Sequence, residues 1–180
     1  MGEIAGPVGW VIESEGLPNL LHELVHALFL GHLDDDHGFD YGLIPLDVGR
    51  ADHRRHLWEE LACCVISVDY AAPFAEDPRS FAREWFAEQF EIQGVFYGLE
   101  HDLRGLREMV DDLLSSPARL DEAEGTLTRG RALVARALRE RGWSAPAGFP
   151  DRWPSFRAVW DGYRRACAPT PGAAWKKGGV

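Results

Sequence analysis

Lysine is almost missing from this chain. It occurs only at Lys176 and Lys177, so arginine carries nearly all the basic charge, a bias we read as that of a GC-rich bacterial genome. Basic charge is scarce overall: 19 Lys and Arg stand against 29 Asp and Glu, a formal net charge of −10. That balance argues against general binding of nucleic acid or of an anionic membrane, since both need a basic face. It leaves room for a local patch at Arg136, Arg139 and Arg141. Long apolar runs are also lacking. The most apolar helical stretch, Leu17 to Leu30, is interrupted by His22, Glu23 and His26, and so cannot span a bilayer. Met1 to Glu15 has neither a basic leader nor an apolar core, so no secretory signal is expected. Cysteine is limited to three, with Cys63 and Cys64 adjacent and Cys167 alone. Adjacent cysteines pair poorly and an odd count suits reduced thiols, which points to a cytoplasmic protein.

What is present suits one folded unit. At 46% hydrophobic and 27% charged, with 7 Trp and 9 Phe, the composition is globular. We expect a single domain over residues 1–168 and a mobile tail over 169–180. Val8 to Glu13 reads as a strand, β-branched and aromatic between Gly-Pro and Glu-Gly. Pro18 and Asn19 open a helix to about Leu30, with Gly31 as its stop. A polar stretch, His32 to Asp52, is long for a connection. Asp52 to Ala71 is a second helix, its apolar Leu57, Leu61, Cys64 and Val68 at helical spacing. A third opens at Asp77-Pro78 and runs, with a break, through Gly94 and Gly98 to Leu114. Ser116-Pro117 starts another and Thr128 to Arg141 forms a further one, ending at Gly142. A loop over Ser144 to Pro150 and a helix from Pro154 to Ala168 complete the pattern. The expected fold is mostly α with a short N-terminal strand (α+β). Pairing of Gly42 to Val48 with that strand is left open.

Residues 22–26 read His-Glu-Leu-Val-His, the HExxH pattern. Positions i and i+4 lie one turn apart on one helix face, so both imidazoles can reach one ion. Zinc takes neutral imidazole nitrogen and, in a catalytic site, keeps one position open for water. Glu23 then stands beside that water as general base and later returns the proton to a leaving amine. Leu20, Leu21, Leu24, Val25, Leu28 and Phe29 make the helix apolar on most sides, and polar groups in such a helix are costly to bury unless something engages them.

Two histidines need a third protein ligand. A Glu on the following helix is one source, at Glu59 or Glu60. The chain resembles the gluzincin branch of the zincin superfamily over Val8 to Ala72: a strand precedes the HExxH helix, and a second helix carries a Glu. The resemblance implies a small residue three positions after that Glu. Glu59 with Ala62 fits and is narrowly favoured, while Glu60 lies nearer the apolar face of Leu57, Leu61 and Cys64. It also implies an Asp four positions after the ligand, bracing a histidine; after Glu59 that position is Cys63, a departure. The alternative is the metzincin pattern, HExxHxxGxxH, which would use His32. Its Gly is replaced by Phe29, so an uninterrupted helix carries His32 past the ion. Asp34, Asp35, Asp36, His37 and Asp47 are further options.

The resemblance implies an oxyanion-stabilising His or Tyr from later in the chain. His101 and Tyr97, one turn apart, are the candidates, with Tyr70 as another. The run Asp34 to Asp36 reads as solvated loop, Cys63 and Cys64 as small core residues, and Trp143, Trp153 and Trp160 as packing of the C-terminal helices. The expected activity is zinc-dependent hydrolysis of a peptide or small amide. The alternative is a peptide-binding protein of zincin fold with a weak or inactive site. No protein partner is indicated.

Overall fold

Helix starts and stops in this chain follow local chemistry, and they set where the side chains of interest lie. In a computed structural model, residues 2–5, 11–14, 16–29, 45–143 and 155–167 are described. The elements are β1 (Gly2–Ala5), β2 (Val11–Ser14), α1 (Leu17–Phe29), α2 (Ala51–Ala71), α3 (Pro78–Ile92), α4 (Leu103–Ser115), α5 (Pro117–Glu140) and α6 (Phe156–Cys167). The protein is mostly helical. β1 and β2 form an antiparallel pair with Gly2 opposite Ser14 and Ala5 opposite Val11. This differs from the strand expected at Val8 to Glu13: residues 6–10 lie outside those described, and the paired segment is shorter and joined by an unforeseen partner.

α2 lies at the centre, packed against α1, α3 and α5. Every residue from Leu61 to Ser67 is buried, as expected of a helix enclosed on all sides. Its first turn has no side-chain cap. Instead the buried Arg54 guanidinium donates to the carbonyls of Val48 and Gly49 at 2.9 and 2.7 Å, and to both Glu122 oxygens on α5 at 3.0 Å. One cation thus ties the chain leading into α2, α2 itself and α5. Asp77 caps α3 by accepting from the amides of Arg79 and Ser80, with Pro78 in the first turn.

Two boundaries differ from the sequence expectation. α3 ends at Ile92; Gln93–Tyr97 is a 3-10 helix, and Gly98 turns left-handed at φ 68°. Gly94 is required there, since a Cβ would lie 2.9 Å from the Leu99 carbonyl oxygen. The helices expected at Pro117 and Thr128 are one, α5. Ala123, Leu127 and Val134 keep a continuous buried stripe across the join, and Gly125 only lowers propensity. α5 stops at Gly142, with Gly142 and Trp143 amides returning to the Arg139 and Leu138 carbonyls. Trp143 is exposed, not packed, whereas Trp160 is buried with Phe86, Phe90 and Tyr163 in an aromatic cluster between α3 and α6. Trp153, the end of the first helix at Leu30 and Gly31, the Ser144 to Pro150 loop and the tail lie outside the described residues. Pro45 to Val48 is not strand; Leu46 is held by its amide on the Phe96 carbonyl.

α2 and α5 are also joined by Asp69 and Arg131, whose charged atoms are 3.3 Å apart. Burial pushes the Asp69 carboxyl up to about 7, the guanidinium offsetting only part of it. The native state therefore holds this proton more tightly than an unfolded chain, whose carboxyl titrates near the usual 3.8. This contribution is fully present below about pH 4 and is lost as pH rises towards 7. Asp69→Asn, uncharged throughout, is expected to match wild type in urea titrations at the acid end and to exceed it at neutral pH. A wild type that gains on the variant as pH rises would show instead that the ion pair outweighs burial.

Candidate metal centre

α1 and α2 are neighbours, and their contact face carries the only group of three or more potential metal ligands among the described residues: His22, His26 and Glu60. The Nε2 atoms of His22 and His26 are 3.0 Å apart. The Glu60 carboxylate lies 3.5 Å from His22 Nε2 through one oxygen and 3.3 Å from His26 Nε2 through the other. Four ligands arranged tetrahedrally at roughly 2.0–2.1 Å from zinc stand about 3.3–3.4 Å from one another. The three observed separations bracket that value, so the residues fit such an ion with modest adjustment.

Burial is graded across the group. His22 is 6% exposed, the His26 ring 29% and the Glu60 side chain 18%. Two imidazole nitrogens and a carboxylate do not converge without positive charge between them. Burial opposes charge on His26, but Cys63 and Glu60 beside it outweigh burial and raise its pKa well above the usual value. Burial would likewise raise Glu60, yet hydrogen bonds from His22 and His26 hold it well below the carboxylate range. Both shifts favour positive charge beside Glu60, which a proton or a divalent ion can supply.

Glu59 and Glu60 point in different directions. Glu60 faces the histidines. Glu59, one residue earlier and so about 100° around the helix, is buried beside Arg129 of α5 at 3.5 Å. Burial pushes its carboxyl upward, with Arg55 and Arg129 opposing. Glu23 lies on the exposed side of α1, about 60° around the axis from His26. Tyr97 is buried, but its hydroxyl donates to the His53 carbonyl at 3.3 Å, seven residues or about 10 Å along α2 from Glu60. His101 is exposed in the turn before α4. Tyr70 lies ten residues beyond Glu60, about 15 Å along α2. His101 and Tyr70 are not brought to the group; Tyr97 lies near enough for the Glu60 charge to act on it, but its hydroxyl is turned to His53. Asp47 accepts from the Gly49 amide instead. His32, Asp34, Asp35, Asp36 and His37 lie outside the described residues.

Several neighbours had no sequence signal. The Trp85 ring stands edge-on to His22 with centroids 6.5 Å apart, anchored by its indole N–H on Ser67 at 3.0 Å. Cys63, fully buried at the α1 contact, faces His26. Gln93, 2% exposed, donates its amide to Glu60 at 3.4 Å, while its oxygen is buried with no hydrogen-bond partner among the described residues. An unmatched amide oxygen costs folding free energy, on the order of 1–3 kcal/mol; bracing the Glu60 carboxylate is a reason to keep it. Gln93→Leu is therefore expected to leave metal-free stability equal or higher, yet to weaken metal binding about 10–100-fold. Denaturant titration and chelator competition read the two separately. Lost stability with unchanged affinity would make Gln93 a packing residue only.

The chain matches no protein-family model, no curated protein and no solved structure with which it was compared.

Proposed function

We propose that this chain is a metal-dependent hydrolase of peptide or amide bonds, gluzincin-like in its use of a Glu from a second helix. The observation that carries the reading is the triangle of His22, His26 and Glu60, with edges of 3.0, 3.3 and 3.5 Å. These three would hold the ion, and zinc is the expected one because neutral imidazoles and a carboxylate at tetrahedral spacing suit it. When bound, such an ion polarises a carbonyl and acidifies water. No fourth His, Cys or carboxylate joins the group among the described residues, in keeping with a site that keeps a position for chemistry.

The protein's own part is division of labour. His22, enclosed, fixes the inner edge of the site. His26 and Glu60, partly open, border the side from which a substrate arrives. Glu23 next to that edge accepts a proton from the attacking water and returns it to the departing amine, so the ligands stay unprotonated. The small residue three positions after the ligand Glu is Cys63, buried where α1 and α2 meet. The Asp position four after it is Cys64, so bracing by an Asp is absent and Gln93 stands beside the ligand instead.

Metal content measured on wild type, His22→Ala and His26→Ala after purification without chelators tests the reading. Stoichiometric zinc in wild type and its loss in both variants is expected. Zinc-free wild type that also fails to take up added zinc would end it.

A further inference from the structure

Along α5, Arg129, Ala132, Leu133, Arg136 and Arg139 border a shallow, open surface depression of about 370 Å³. Their spacing of three, four and seven residues puts them on one helical stripe. Leu133 is buried at its base, and the three arginines are exposed around it. In a chain of net charge −10, three guanidiniums about one apolar side chain are a local reversal of the surface. Their charge is only partly matched within the molecule. Arg136 meets Glu140 at 3.7 Å with both side chains open to solvent, a pair worth little in water. Arg129 is shared between Glu59 at 3.5 Å and the face of Phe29 at 5.7 Å.

Those two partners place the depression relative to the metal group. Phe29 follows His26 by three residues on α1, and Glu59 precedes Glu60 on α2. The basic stripe therefore begins about one helical turn from the ligands and continues for about 15 Å along α5. That length accommodates about four residues of extended peptide.

We propose that this depression binds the carboxylate side chains of an acidic peptide and thereby selects the substrate of the hydrolase proposed above, on which the substrate role rests. The guanidinium fork pairs with a carboxylate through two parallel hydrogen bonds. Leu133 offers apolar contact to the methylenes of a Glu. The acidic remainder of the surface repels an acidic peptide that is not seated there, so selection depends on this stripe. A nucleic acid duplex would need a far wider basic face.

The test uses the full chain carrying Glu23→Gln, so that binding is read without turnover. Fluorescence anisotropy compares a labelled peptide of Glu and Leu residues with its Gln counterpart, and then adds Arg136→Glu with Arg139→Glu. The acidic peptide is expected to bind about tenfold or more tighter than the Gln peptide, and to lose at least that much on the double charge reversal and at high salt. Equal binding of the two peptides, or no effect of the double variant, overturns the proposal. Displacement of the peptide by an equal concentration of inorganic phosphate overturns it too, in favour of a phosphate site. The hydrolase reading fails separately. Wild type loaded with zinc that binds the acidic peptide without cleaving any peptide removes that reading and keeps the binding depression. Wild type that cleaves the Gln peptide as fast as the acidic one does the reverse.

Discussion

Glu60→Gln is expected to lose bound zinc, whereas Glu59→Gln keeps it. The two residues are neighbours in sequence, alike in chemistry and both on α2, so the pair isolates direction alone. Structural zinc sites release about 10–16 kcal/mol over four ligands, roughly 3 kcal/mol for each. Weakening one ligand from carboxylate to amide then costs about a hundredfold or more in affinity. Glu59 reaches Arg129, not the histidines, so its amide variant should change zinc affinity less than about threefold. Competition with a fluorescent chelator measures both. The reverse ranking would mean that α2 is rotated in solution by about one residue, and the site would need rebuilding around Glu59.

Glu23→Gln carries the second large effect. General-base catalysis contributes about 10²–10⁴ in rate. The variant should lose that much of kcat on any peptide the zinc-loaded wild type cleaves, with KM little changed because Glu23 handles a proton and not the substrate. Zinc content should be unaffected, since the residue is not among the three that converge. Two outcomes would revise the mechanism. Full activity in the variant would remove Glu23 as base. Loss of zinc would make it part of the ligand set. Should both proteins bind a peptide and neither cleave it, the peptide-binding alternative is the better account.

The first half of the site was legible because a helix converts spacing into direction. His22 and His26 are four apart, and four residues bring a side chain back to within about 40° of its starting face. Nothing in the tertiary structure was needed to put the two rings together. Glu60 was harder to read. Residues Leu61 to Ser67 are buried all round, so the apolar pattern of α2 has no clear empty face, and hydrophobic periodicity cannot orient it well. The spacing of a small residue suggested Glu59 through Ala62, yet Ala62, Cys63 and Cys64 are all small and all buried, and each satisfies that criterion in a different register. The apolar face of Leu57, Leu61 and Cys64 pointed to Glu60, the carboxylate that faces His22 and His26.

Gln93 and Tyr97 show the other limit. Both belong to the short 3-10 helix that replaced the expected continuation of α3. Which of them meets Glu60 depends on a chain reversal fixed by Gly98 and by the close approach of Gly94 to Leu99. A tyrosine attracts attention as a hydrogen-bond donor, but its hydroxyl is occupied by the His53 carbonyl. The neutral amide, which carries no motif, is the group beside Glu60. Helix boundaries followed the same logic. Asp77-Pro78 announced α3 because a cap and a proline act locally. A separate helix was expected from Thr128, but the buried stripe of Ala123, Leu127 and Val134 keeps α5 continuous from Pro117 to Glu140.

Gly130 has a role beyond that of a tolerated weak helix former. A Cβ at this position would lie 2.7 Å from Ile66 Cδ1 of α2 and 2.9 Å from Phe29 Cζ of α1. Both neighbours are wholly enclosed and have little freedom to retreat. A missing methyl group on α5, which supplies none of the converging atoms, thus sets how closely the helices carrying His22, His26 and Glu60 can stand. Under the metal-binding reading proposed above, ion preference in a descendant of this protein would be open to retuning from that third helix, by a change in girth and with every ligand left in place.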